Sequence, residues 1–135
     1  MEIIKKLFKN DKFAEHNGIE LVEVSEGSAK AKMEINENHL NGIGIVQGGA
    51  IFTLADFTFG AAANSYGSVA VAINVNISYM KSSKSGTLFA EAREISKNPK
   101  LGTYTIDVTD DNGEIIAIFQ GMAYRKRDKI EDFIK

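Results

Sequence analysis

Cysteine and tryptophan are absent from this 135-residue chain, proline occurs once, and histidine occurs twice. Without cysteine there is no disulfide, no thiol nucleophile and no thiolate metal site. A reducing cytoplasm is compatible with that composition, and a cytoplasmic location is expected. His16 and His39 stand in polar, turn-like stretches with no other metal-type ligands gathered near them. Both read as surface residues, and no metal is expected. The net charge is only −2, which gives no general pull toward nucleic acid or membrane, so neither is an expected partner. The apolar runs are interrupted before they reach membrane-spanning length, and the one at Met1–Asn10 is too short for a signal peptide. Ser65 has no G-x-S-x-G context, which excludes a serine-hydrolase elbow. The glycines at 42, 44, 48 and 49 follow a loop and lack a Walker Lys-Ser/Thr, so nucleoside triphosphate chemistry is not expected.

What remains is an ordinary globular composition, 44% hydrophobic and 25% charged, of a length that fits one domain over residues 1–135. Ile3, Ile4, Leu7 and Phe8 fall on one helical face with lysines opposite, which predicts an amphipathic N-terminal helix within residues 1–15. Ile19, Leu21 and Val24, and then Ala29, Ala31, Met33 and Ile35, predict two strands. Residues 36–48 read as a polar loop. From Gly49 to about Asn64 the chain is apolar nearly all round, which predicts a helix covered on most sides. Four strands should follow. The first, Val69 to Met80, places Ile73, Val75, Ile77 and Tyr79 on one face. The second runs from Thr87 to about Ser96, and the third carries Tyr104, Ile106 and Val108. Asn112-Gly113 predicts a hairpin turn, because such a turn needs positive φ. The fourth is Ile115 to Tyr124, and residues 125–135 read as a charged tail. One long helix against one large antiparallel sheet is an α+β layer arrangement. A helix this apolar needs more cover than one sheet gives, which suggests a partner subunit.

Within that helix stands one carboxylate, Asp56, seven residues after Gly49. Two helical turns put both on one face, ~10 Å apart. Thr53 and Gly60 share the face, and Phe52 and Phe59 flank it. Desolvation among Phe and Ala should raise the proton affinity of Asp56, with the Thr53 hydroxyl partly offsetting the effect. Such a carboxylate suits a general base for water or a nucleophile on a carbonyl. The paired glycines, Gly48 and Gly49, offer bare N–H groups at a positive helix end, where a developing oxyanion is stabilised. A reacting carbonyl must lie ~3 Å from both donor and attacking group. One helix cannot easily present both, so a two-fold dimer with antiparallel central helices is expected to assemble the site in trans.

The spacing of Asn41, Gly44, Gln47, Gly48, Gly49, Leu54 and Asp56 resembles N-x-x-G-x-x-H-G-G-x-x-x-x-L-x-D. That is the signature of the hotdog-fold acyl-CoA thioesterases of the phenylacetic-acid-degradation (PaaI-type) group, with Gln47 in the histidine position. Val75 to Lys81 and Ile118 to Gly121 resemble later strands of the same family. The resemblance spans about residues 14–125. It implies a hotdog fold, an antiparallel sheet wrapped around one long central helix. It implies hydrolysis of an acyl-CoA thioester to a free acid and coenzyme A. By resemblance Asp56 is the base or nucleophile, and Gly49 with Gly48 polarises the thioester carbonyl. Asn41 orients the surroundings of the nucleophile, and Gln47 lies near the carbonyl or thiol. Thr53, Phe57 and Lys81 are further candidates for substrate contact. A homodimer or homotetramer is implied, and no cofactor beyond the coenzyme A of the substrate. A non-catalytic acyl-CoA-binding or sensor domain is the alternative. A hydratase would use a catalytic histidine, and neither His16 nor His39 is suitably placed.

Overall fold

The computed structural model describes residues 1–134. Helices α1 (Glu2–Lys9) and α2 (Lys12–His16) precede strands β1 (Ile19–Ser25) and β2 (Ser28–Glu34). A 3-10 turn over Glu37–His39 leads to the long helix α3 (Gly48–Ala63). Strands β3 (Ser68–Tyr79), β4 (Thr87–Lys97), β5 (Leu101–Thr109) and β6 (Ile115–Lys129) complete the fold, with a closing 3-10 turn over Ile130–Phe133. All neighbouring strands are antiparallel, in one six-stranded sheet of order β1-β2-β4-β5-β6-β3. The expected α+β architecture, a sheet around one central helix, is therefore present.

Period-2 alternation does the sorting. Ala29, Ala31 and Met33 of β2, Leu88, Ala90 and Ala92 of β4, and Tyr104, Ile106 and Val108 of β5 are all buried on the concave face. The alanines on β2 and β4 leave room for α3 to lie close to the sheet. On β6 the concave face carries Ala117, Phe119 and Ala123, and Gly121 lies among them. A Cβ on Gly121 would sit 2.8–3.0 Å from three ring atoms of Phe59. The missing side chain is what lets Phe59 of α3 seat between Phe119 and Tyr104, at ring separations of 5.6 and 5.7 Å.

Four expectations change. The N-terminal helix divides in two, because the Asp11 side chain accepts the Ala14 N–H at 2.9 Å and starts a second helix. The charged tail begins later than expected: Arg125 to Lys129 continue β6, and Ile130 is buried with its N–H on the Gly67 carbonyl at 2.9 Å. Lys135 lies outside the described residues. Ile73 leaves the face of Val75 and Ile77, because the β3/β6 register shifts between Ala72 and Asn74 and Ile73 becomes the extra, 54% exposed residue. In the last hairpin only Gly113 takes positive φ (77°). Asn112 instead gives its N–H to the Asp110 carboxylate at 2.9 Å.

Helix α3 is not covered all round. Ile51, Leu54, Ala55, Phe57, Thr58, Phe59, Ala61 and Ala62 are buried. Gly49, Thr53, Asp56 and Gly60 form a stripe that remains exposed or half-exposed. The edge strand β3 runs beside it with Val71, Ile73 and Tyr79 exposed.

Candidate active site

The loop from Asn36 to Gln47 is built to deliver the start of α3. His39 is its anchor. The ring Nδ1 accepts the Asn36 N–H at 3.0 Å, and Nε2 lies 2.8 Å from the Asn17 carbonyl. The contacts require the neutral tautomer with the proton on Nε2. His39 is 2% exposed, so the expectation of a surface residue is corrected. Capping of the 3-10 turn buries it. His16 is exposed as expected. The His39 carbonyl accepts the Gln47 N–H at 2.8 Å, and Val46 N–H reaches the Ser83 carbonyl at 2.8 Å. Asn41 shapes the tip, its Oδ1 accepting Ile43 and Ile45 N–H at 3.1 and 3.2 Å. Only its Nδ2 is left to meet a ligand.

Gln47 is the N-cap of α3, and its Oε1 accepts the Gly49 N–H at 3.1 Å. The donor expected to hold an oxyanion is thus covered by the neighbouring side chain. An incoming oxygen would replace Oε1 at the same N–H. The Tyr79 hydroxyl donates to the Gly48 carbonyl at 3.0 Å, tying β3 to the first turn of the helix. Asn41, Gly48, Tyr79 and Lys81 line a cavity of about 320 Å³ here. Lys81 is ion-paired with Glu114 at the surface.

Two turns along α3, Asp56 and Phe57 line a second cavity of about 240 Å³ with Phe8, Asp11, Gly60 and Ala72. Asp56 is half-buried, and among the described residues it has no hydrogen bond and no ion pair. Burial holds its carboxyl above the usual carboxylate range, and the like charge of Asp11 adds to the effect. The expected help from Thr53 is not there. Its Oγ1 donates to the Gly49 carbonyl at 2.7 Å, one turn back in the same helix. The two cavities share no residue. The candidate residues thus divide into a group at the start of α3 (Asn41, Gln47, Gly48, Gly49, Lys81) and a group two turns on (Asp56, Phe57). Thr53 lies between them. Among the described residues no cluster of His, Cys, Asp or Glu is placed to hold a metal ion. No described helix is long and apolar enough to cross a membrane.

Sequence reasoning missed Tyr79, Phe8 and Asp11. Tyr79 was legible as a strand residue, but its bond to a carbonyl 31 positions away carries no local signal. Asp11 stands within the stretch read as one N-terminal helix, and nothing in the residue pattern sets it beside Asp56.

The family model of the thioesterase superfamily matches residues 43–117. A protein of Archaeoglobus fulgidus is 41% identical over 128 residues, covering 94% of this chain and 81% of that one. The Escherichia coli acyl-coenzyme A thioesterase PaaI is 32% identical over 120 residues, covering 88% and 86%. A solved structure of the Escherichia coli PaaI protein superposes with a TM-score of 0.88 at 31% identity, over 91% of this chain and 90% of that one. A Streptococcus mutans protein bound to acetyl-CoA superposes at 0.78 with 26% identity, covering 82% and 90%. This chain belongs to the thioesterase superfamily and is a thioester hydrolase with the hotdog fold. Within that superfamily it falls in the PaaI-type group.

Proposed function

We propose that the chain hydrolyses an acyl-CoA to a free acid and coenzyme A at a site built from two subunits. Asp56 of one protomer and the Gly49 N–H of its partner act on the same carbonyl, with Gly48 beside the donor. The observation that carries this reading is the unpaired, half-buried Asp56 on the open stripe of a mostly buried helix. Evenly apolar cover would be cheaper, and a carboxylate with no structural partner is retained where chemistry uses it. Two antiparallel copies of α3 would bring Gly49 of one chain opposite Asp56 of the other, closing a gap of ~10 Å that a single helix leaves. The unpaired edge of β3, which ends the sheet next to β6, is suited to carry the dimer contact. A homodimer is the smallest assembly that satisfies this geometry, and a homotetramer of two such dimers keeps it.

In the reaction, Asp56 removes a proton from water as the water oxygen bonds to the thioester carbon. Attack by Asp56 itself, through an anhydride that water then opens, is the other course open to the carboxylate. The carbonyl oxygen takes the electron pair and is held by Gly49 N–H in the place of Gln47 Oε1. The pair returns, the C–S bond breaks, and the thiolate of coenzyme A leaves. The Gln47 amide donates a hydrogen bond without exchanging a proton near neutrality. It orients the sulfur or carbonyl, and the thiolate collects its proton from Asp56 or solvent. Asn41 Nδ2 faces the reacting groups, Phe57 and Thr53 touch the acyl part, and Lys81 meets the coenzyme at the cavity mouth. No cofactor is required beyond the coenzyme A of the substrate. A cysteine-free chain suits the cytoplasm.

The test is free-thiol release from a panel of aryl and aliphatic acyl-CoAs. Since the protein has no thiol of its own, a thiol-reactive dye reports coenzyme A alone. Turnover by the wild type with a loss of two or more decades in Asp56→Asn supports the reading. Tight binding with no turnover of any ester would make the chain a binding domain instead.

A further inference from the structure

The cavity at Asp56 is closed at one end by α1, an element outside the helix-and-sheet framework. Phe8 lies edge-on to Phe57, ring centroids 5.4 Å apart at 83°. On the other side Phe8 approaches α3 so closely that a Cβ on Gly60 would stand 3.2 Å from its ring. Behind this pair lies another cavity, of about 550 Å³, between the N-terminal helices and β1. Phe8, Phe57 and Asp11 line both spaces. Ile19 and Leu21 give the rear space an apolar wall, with Lys5, Lys9 and Glu15 toward its mouth. The Phe8 ring, with Phe57 and Asp11, thus forms the partition between the compartment that holds Asp56 and a larger one.

We propose that Phe8 sets the length of the acyl group. This rests on the reading of Asp56 as the reacting carboxylate, since the acyl part must then run from it along the cavity of Gly60 and Ala72. Compact acyl groups end against the Phe8 ring. Longer chains meet it and are turned out toward solvent. Removing the ring joins the two spaces and gives a long chain apolar cover against Ile19 and Leu21. Each methylene so covered is worth roughly fourfold in binding, so a gain of at least about tenfold for long over compact acyl groups is expected. Phe8→Ala does not touch the reacting atoms, and its effect should fall on selectivity. Gly60→Ala narrows the same passage from the helix side and should act in the opposite sense.

The experiment measures kcat/KM over a series of acyl-CoAs of increasing length for wild type, Phe8→Ala and Gly60→Ala. The dissociation constants of the matching non-hydrolysable thioethers are measured alongside. The proposal predicts that Phe8→Ala raises the long-to-compact ratio at least about tenfold in both measurements, and that Gly60→Ala lowers it. An unchanged ratio in Phe8→Ala overturns the partition. If α1 fails to dock in that variant, as circular dichroism and melting would reveal, Gly60→Ala decides, and an unchanged profile there overturns it equally. The hydrolysis reading fails separately. If the wild type releases no thiol from any ester, the thioether affinities still test Phe8.

Discussion

Replacing Asp56 by asparagine should move activity and stability in opposite directions. The side chain is half-buried, has no cationic or hydrogen-bonding partner among the described residues, and has Asp11 as a like-charged neighbour. Its carboxyl is therefore held above the usual carboxylate range, chiefly by desolvation. A folded pKa above the unfolded one means that the native state binds this proton more tightly. Its ionisation then destabilises the fold, an effect absent below the unfolded pKa and complete once pH exceeds the folded pKa. Each unit of displacement corresponds to about 1.4 kcal/mol. Asparagine, neutral throughout, escapes the effect. Denaturant melts at neutral pH should show Asp56→Asn as the more stable protein, and the difference should vanish as pH falls below the ordinary carboxylate range. The acid limb of kcat/KM for the wild type reads the folded pKa independently. The gap between that limb and a model carboxylate, multiplied by about 1.4 kcal/mol per unit, should equal the stability difference at neutral pH. A less stable Asp56→Asn, or an acid limb at the ordinary position, would refute the account of this carboxylate.

Two further outcomes follow from the packing. Gly121→Ala drives a Cβ against the Phe59 ring, which Phe119 and Tyr104 hold in place. It should cost about 1–3 kcal/mol in urea unfolding. Combination with Phe59→Leu should cost less than the sum of the single changes. His39→Ala strands the Asn36 N–H and the Asn17 carbonyl. It should cost about 2–4 kcal/mol and lower thioester turnover, because the same loop carries Asn41 and Gln47. Unchanged turnover would separate that loop from the chemistry.

The fold was legible wherever one period dominated. The alternation of β2 and β5 and the apolar run of α3 specify which faces meet, because slipping any of them would expose a row of apolar side chains. The breaks were harder. Asp11 starts a second helix through one side-chain bond, and Ile73 is expelled by a bulge that depends on its partner strand. The linear pattern records neither. The buried state of His39 was invisible for the same reason, since its partner Asn17 is 22 positions away. At the site, Asp56 announced itself as a charge in an apolar helix, and its raised proton affinity follows from its neighbours. The capping of Gly49 by Gln47, the in-helix bond of Thr53, and the Phe8 wall depend on rotamers and tertiary approach, which residue spacing does not encode.

The central claim, a site shared between protomers, is tested most directly by mixing two inactive chains. Asp56→Asn removes the carboxylate. Gly49→Pro removes the helix N–H at a position in the first turn where proline is tolerated. The two variants are unfolded together, refolded and assayed for thiol release. If Gly49 and Asp56 of different chains form one site, each mixed dimer holds one intact site and one doubly damaged site. Random pairing then restores about one quarter of wild-type activity. If both residues serve one site within a chain, every site in the mixture carries a lesion. Activity no higher than that of the two separate variants would contradict the account.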